Sequence, residues 1–253
     1  KYKNKYLTAK KLYGGSESDN IVNYIIENNK NVKYDEKTNK YIIKGDLDLS
    51  SKQLTTLPES FSSLIIEGDL DLSSNQLTTL PDNFEVGEGL YLKKNKLIAL
   101  PDSFGSLQVD NLDLSHNELT VLPESFGSLK VGRDLDLSNN QLASLPKNFN
   151  SLQAKNLNLS YNKFTSLPEN FGSLRVDNLD LSRNKLTTLP ESFSSLIINR
   201  HLDLSRNKLT SLPENFNELT VSNLDLSNNE LKKLPKNFGS LQVGRDLNLS
   251  YNK

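Results

Sequence analysis

The chain contains no cysteine, no methionine and no tryptophan among its 253 residues. The missing thiols remove disulfides, thiolate metal sites and cysteine nucleophiles together, and they favour a reducing compartment. No run of about 18 apolar residues exists, and the lysine-rich start lacks the apolar core of a signal peptide. These absences argue against membrane insertion and favour an intracellular location, in the cytoplasm of the producing cell or of a host. Formal net charge is only −1, so nothing global draws the chain to nucleic acid or an anionic membrane. Hydrophobic residues make up 35%, low for a globular core.

What is present is repetition. A Leu-x-Leu pair begins at Leu47, Leu70, Leu90, Leu112, Leu135, Leu157, Leu179, Leu202, Leu224 and Leu247. The steps between these starts are 23, 20, 22, 23, 22, 22, 23, 22 and 23 residues, a period that marks a solenoid of stacked coils. We number positions from the first leucine of each pair. Positions 1, 3, 8, 11 and 18 are leucine, position 6 is asparagine and position 20 is valine or isoleucine, with few exceptions. All nine prolines sit at position 12, and nine of the ten phenylalanines at position 15. Phe164 is the tenth and replaces leucine at position 8.

Each position has a physical task. Leu-x-Leu is a short strand with one side inward. A coil with one strand per turn brings successive strands side by side in parallel. Asparagine both tolerates unusual backbone angles and offers an amide that donates and accepts, so Asn75, Asn95, Asn117, Asn140, Asn162, Asn184, Asn207 and Asn229 form a structural ladder at the strand ends. Proline disfavours the helix before it, which leaves extended or short 3₁₀ segments opposite the sheet. Phenylalanine fills the wide outer half of the core.

The first 45 residues differ from the rest, with ten lysines against five acids and six of the nine tyrosines. A short helix at 7–13 is expected to stop at Gly14-Gly15. A second, N-capped within Ser16 to Asp19, places Ile21, Val22, Ile25 and Ile26 on one face. Val32–Tyr34 and Lys40–Ile43 flank Asp35–Asn39 as a hairpin. The division expected is residues 1–45 as an N-terminal cap and 46–253 as nine full units plus the start of a tenth. Lys1 is not expected to be a natural start, and Lys253, just inside a repeat, is expected to be a cut end.

From Asp46 onward the Leu-x-x-Leu-x-Leu spacing, the Asn and the Leu-Pro-x-x-Phe resemble leucine-rich repeat proteins of the short, proline-marked kind common in microbes. The resemblance implies an α/β right-handed solenoid, a horseshoe with a concave parallel sheet. It also implies a role in binding macromolecules. The abundance of Asn, Lys and Ile resembles coding from an AT-rich genome, microbial or viral.

Two units depart from the pattern. The first carries Lys52 where Asn is usual, which suits a terminal unit without an outer partner. The unit at Leu70 lacks the Gly-Ser-Leu insert, and the next reads Leu90-Tyr-Leu-Lys-Lys-Asn. The 22/23 alternation places its extra residue between position 20 and the next strand.

Position 2 points out of the sheet and is mostly acidic, including Asp113, Asp136, Asp180, Asp203 and Asp225, with Tyr91 in the irregular unit. Position 4 beside it is Ser except for Lys93, and position 5 varies: Lys94, His116, Tyr161, Arg183 and Arg206 among others. Variation on a fixed scaffold suits recognition, and Tyr, His and Arg are favoured contact residues. Equally, the aspartates can serve the fold by pairing with neighbouring Ser or Asn. Nothing suggests catalysis. His116 and His201 sit four repeats apart, about 19 Å at strand spacing, so they share neither metal nor proton. The glycine of the recurring Gly-Ser-Leu reads as a turn residue. The paired carboxylates lie on an open face that excludes no water. The reading is therefore a non-enzymatic scaffold without cofactor or metal, binding an unknown protein partner with a basic surface on the concave face, and not nucleic acid. The alternative is the targeting region of a larger effector or enzyme.

Overall fold

The computed structural model describes residues 19–83 and 85–253. The helix expected at 7–13, its Gly14-Gly15 stop, the cap residues before Asp19 and Phe84 lie outside the described residues. Helix α1 spans Asp19–Asn28 and buries Ile21, Val22 and Ile25 against the first repeat, with Ile26 partly covered. Strands β1 (Val32–Asp35) and β2 (Lys40–Ile43) form the antiparallel hairpin that the sequence indicates. β2 then pairs in parallel with Leu64–Ile66, so the hairpin joins a short sheet on the flank of the coil, completed by Glu85–Val86.

From Leu47–Asp48 to Leu247–Asn248, ten short strands line up in repeat order. Each neighbouring pair is parallel, with leucine facing leucine, as Leu157 faces Leu135 and Leu179. Both leucines of each pair point inward, and those of the central coils are almost fully buried. Opposite the sheet, the chain runs extended through proline and then makes a 3₁₀ turn. Where Ser precedes the phenylalanine, the 3₁₀ turn has five residues, as in Glu124–Ser128; where Asn precedes it, three, as in Phe171–Ser173. Asn170 sits in a turn conformation at φ −92° and ψ 9°, which starts the 3₁₀ turn later. Among the described residues no helix is long and apolar enough to cross a membrane.

The core is one continuous apolar body from α1 to Phe238. Its outer half is a column of phenylalanines. From Phe104 to Phe238 successive rings lie 6.1–6.4 Å apart and within 1–11° of parallel. Offset stacks of this kind are favoured over face-to-face contact and add to the area each ring buries.

The asparagine ladder has a direction. Asn162 donates from Nδ2 to the carbonyls of Leu137 and Leu159, and its Oδ1 accepts the N–H of Leu142. The same three bonds recur from Asn75 to Asn229, each side chain reaching back to the preceding coil. The first coil has no predecessor to serve, which is why Lys52 is tolerated there; its backbone N–H is instead accepted by Asn75 Oδ1.

Three local details differ from or refine the sequence reading. The unusual backbone angle falls at position 5, not at the asparagine. All ten position-5 residues, from Ser51 to Tyr251, have φ between 53° and 56°. The chain must reverse there so that the asparagine can turn inward. The glycine of Gly-Ser-Leu is not left-handed; it lies inside the 3₁₀ turn, and a Cβ on Gly172 would come within 1.7 Å of the Ser192 carbonyl. At Gly172 the next coil leaves no room for a side chain, whereas Gly239 has open space and Asn150, Ser194 and Asn217 hold the same position in other coils. In two of the four 23-residue steps the extra residue forms a β-bulge: Val109 pairs with Val131 but Asn111 with Asp134, and the same shift occurs between Val176 and Asn178.

Candidate functional site

The exposed face of the ten-stranded sheet carries positions 0 and 2, which alternate with the buried leucines. At position 2 the carboxylates serve the fold first. Oδ1 of Asp113, Asp136, Asp180, Asp203 and Asp225 accepts the backbone N–H two residues on, at 2.7–2.9 Å. Asn158 does the same for Ser160. This closes the bend at each strand end and leaves Oδ2 free of that bond.

Parallel register puts Asp180, Asp203 and Asp225 in adjacent positions. Burial pushes the Asp203 carboxyl above its ordinary value; hydrogen bonds from Ser205 oppose this, and the charges of Asp180 and Asp225 add to it. The row therefore holds stored repulsion at its centre.

Position 0 forms a second side-chain ladder that the sequence reading missed. Asn156 donates to Asp134, Asn178 donates to Asn156, and the Asn223 amide meets His201 Nδ1 at 2.7 Å. Asn178 Oδ1 is buried without a partner among the described residues. Together the two columns line a shallow trough from Asp134 to Asn248. The clue lay in the alternation: position 0 is two residues before position 2 and must share its face.

The irregular unit at Leu90 is an adapted set. Tyr91 lies over Gly89, where a Cβ would come within 2.7 Å of the tyrosine oxygen. The Gly89 N–H is bound by Asp69 Oδ1 at 2.7 Å. Burial first, then the Asp69 charge, raises the Tyr91 hydroxyl above its ordinary pKa. Lys93 reaches Asp113 at 4.0 Å. Tyr91, Lys93 and Asp113 thus form one neighbourhood, with Lys94 at the adjoining turn.

Position 5 makes a ridge along the sheet margin. His116, Tyr161, Arg183 and Arg206 are exposed there, and the Arg183 guanidinium stacks on the Tyr161 ring at 4.5 Å. The structure brings Asp180, Asp203, Asp225, Tyr161, Arg183 and Arg206 onto neighbouring coils, while Tyr91, Lys93 and Lys94 lie several coils away. Among the described residues, no group of three or more His, Asp or Glu could hold a metal ion.

Comparison with known proteins agrees with this architecture. The family model described as Leucine Rich Repeat matches residues 108–129, 133–152, 153–174, 175–196, 200–219 and 220–241. None of the curated proteins matches. Among solved structures, an LRR protein of Leptospira interrogans is 32% identical with a TM-score of 0.71, and the alignment covers 82% of this chain and 55% of that one. The leucine-rich repeat domain of APL1B is 24% identical with a TM-score of 0.63, covering 82% of this chain and 64% of that one. YopM, a leucine-rich effector protein from Yersinia pestis, is 22% identical with a TM-score of 0.54, covering 95% of this chain and 68% of that one. The chain thus spans little more than half the length of the Leptospira protein.

Proposed function

Because the chain belongs to the leucine-rich repeat family, we propose that it is a non-enzymatic binding module whose exposed sheet face takes a protein partner with a basic, extended surface. One observation carries this reading. The buried columns repeat a single residue type, whereas exposed side chains converge on a trough bearing Asp134, Asp136, Asp180, Asp203, Asp225 and Asp246 without any Lys or Arg. Asp225 Oδ2 accepts from Asn248, while the second oxygens of Asp136, Asp180 and Asp203 suit a partner that supplies cations, and like charges on adjacent strands favour one that relieves their repulsion. Tyr91, Lys93 and Lys94 would extend the contact along the same face, and His116 would do so along the ridge.

The test is capture of partners from the source organism by the chain and by a variant with Asp180→Lys, Asp203→Lys and Asp225→Lys. The expected result is loss of a specific partner, with a weaker salt dependence for whatever remains. Unchanged affinity and salt dependence for an identified partner would overturn the reading.

A further inference from the structure

We propose that the ridge beside the trough is a second docking strip, of opposite sign, for a narrow acidic peptide segment. It rests on the reading of the chain as a binding module but uses different columns and a different partner chemistry. The strip consists of Tyr161, Lys163, Arg183, Lys185, Arg206 and Lys208, positions 5 and 7 of three consecutive coils, all exposed.

Backbone bonds hold these columns in register. Tyr161 donates to the carbonyl of Ser182 and Arg183 to that of Ser205; Lys185 donates to Phe164 and Lys208 to Leu186. Column mates therefore sit about one strand spacing apart, roughly 4.8 Å. Elsewhere position 7 pairs across coils, Lys96 with Gln76 and Lys253 with Glu230 at 2.6 Å, and at the edge of the strip Lys163 reaches Gln141. In this stretch the pattern breaks. Lys163, Lys185 and Lys208 follow one another, and no salt bridge within 4.0 Å is formed by Arg183, Lys185, Arg206 or Lys208 among the described residues. Like charges in adjacent register repel, and an anion laid along the ridge removes that cost.

The shape of the strip selects the anion. It is two columns wide, bounded on one side by the acidic row at Asp180 and Asp203 and on the other by the uncharged Thr165, Thr187 and Thr210. A duplex or a broad anionic surface would overlap the acidic row and be repelled. A single extended chain fits, with carboxylates able to accept from the guanidinium forks of Arg183 and Arg206. Arg183, already stacked on Tyr161, presents its fork preorganised.

The experiment is a fluorescence-anisotropy titration of the whole chain with a labelled glutamate peptide of about six residues, enough to span the strip at about 3.4 Å per residue. One variant carries Arg183→Gln, Lys185→Gln, Arg206→Gln and Lys208→Gln. A second loses four exposed cations of the other side, by Lys130→Gln, Lys147→Gln, Arg175→Gln and Lys236→Gln. Binding should weaken about tenfold or more in the first variant and little in the second, with the difference shrinking at high salt. Absence of binding by the unaltered chain, or equal losses in both variants, overturns the proposal. So does tighter binding of a single-stranded oligonucleotide or a heparin fragment through the same residues, which would assign the strip to another polyanion. Circular dichroism and the midpoint of urea unfolding confirm that each variant is folded. Because the peptide is defined, failure here leaves the partner-capture test of the acidic trough untouched.

Discussion

At the scale of single residues, the buried asparagines have the most consequence. Replacing Asn184 by Ala strands the N–H of Phe164 and takes one of two donors from the carbonyls of Leu159 and Leu181, which keep Asn162 and Asn207. An unbonded buried group costs about 1–3 kcal/mol, so urea unfolding should show a loss of about 1–3 kcal/mol. Asp203 behaves differently. Its carboxyl is held above the ordinary value, so the folded chain binds that proton more readily than the unfolded chain. Stability from this group is present at low pH and falls as pH rises through the raised value. Asp203→Asn should therefore raise Tm at neutral pH, with the gain vanishing below the ordinary carboxylate range. The bond to Ser205 survives in this variant, since Asn158 makes the equivalent one. Left-handed backbone at Arg206, φ 55°, is strained for a branchless cation but easy for asparagine, as at Asn139 and Asn228. Arg206→Asn is expected to stabilise by about 0.5–1 kcal/mol in the same urea assay. The leucines and asparagines were legible in the sequence because each type holds one column. The strained residue was not, because four residue types other than Ser and Asn occupy it.

At the scale of elements, the phenylalanine column can be probed by position. Phe171 is fully buried with a ring stacked on either side, whereas Phe238 is 9% exposed and ends the stack. Phe171→Ala should cost about 3–5 kcal/mol in chemical denaturation, and Phe238→Ala clearly less. Short strands and 3₁₀ turns were readable from Leu-x-Leu and proline. Which exposed columns meet was less so. Positions 0 and 2 share a face by simple alternation, yet the polar contacts Asp134–Asn156–Asn178 and His201–Asn223 draw on mixed residue types and leave no repeat to notice. The bulges were legible as single extra residues, since a coil one residue longer than its neighbour must absorb it where pairing is loosest.

At the scale of the whole molecule, each coil touches chiefly its neighbours, so stability is a sum of coils and the junctions between them. α1 covers the first coil with Ile21, Val22 and Ile25, while Leu247 in the last strand is 43% exposed. Hydrogen exchange should show greatest protection for the strands between Leu112 and Leu202 and least around Leu247; Ile25→Asp should release the first coil selectively.

The backward reach of the asparagines gives the array a sense of time. The N–H at position 8 of each coil has its partner in the next coil's asparagine, which also adds a second bond to the position-3 carbonyl that the coil's own asparagine already serves. During vectorial synthesis a coil leaving the ribosome is therefore incomplete until its successor emerges. Maturation trails translation by about one turn all along the solenoid, and a stalled ribosome leaves a single unsealed turn at the growing tip.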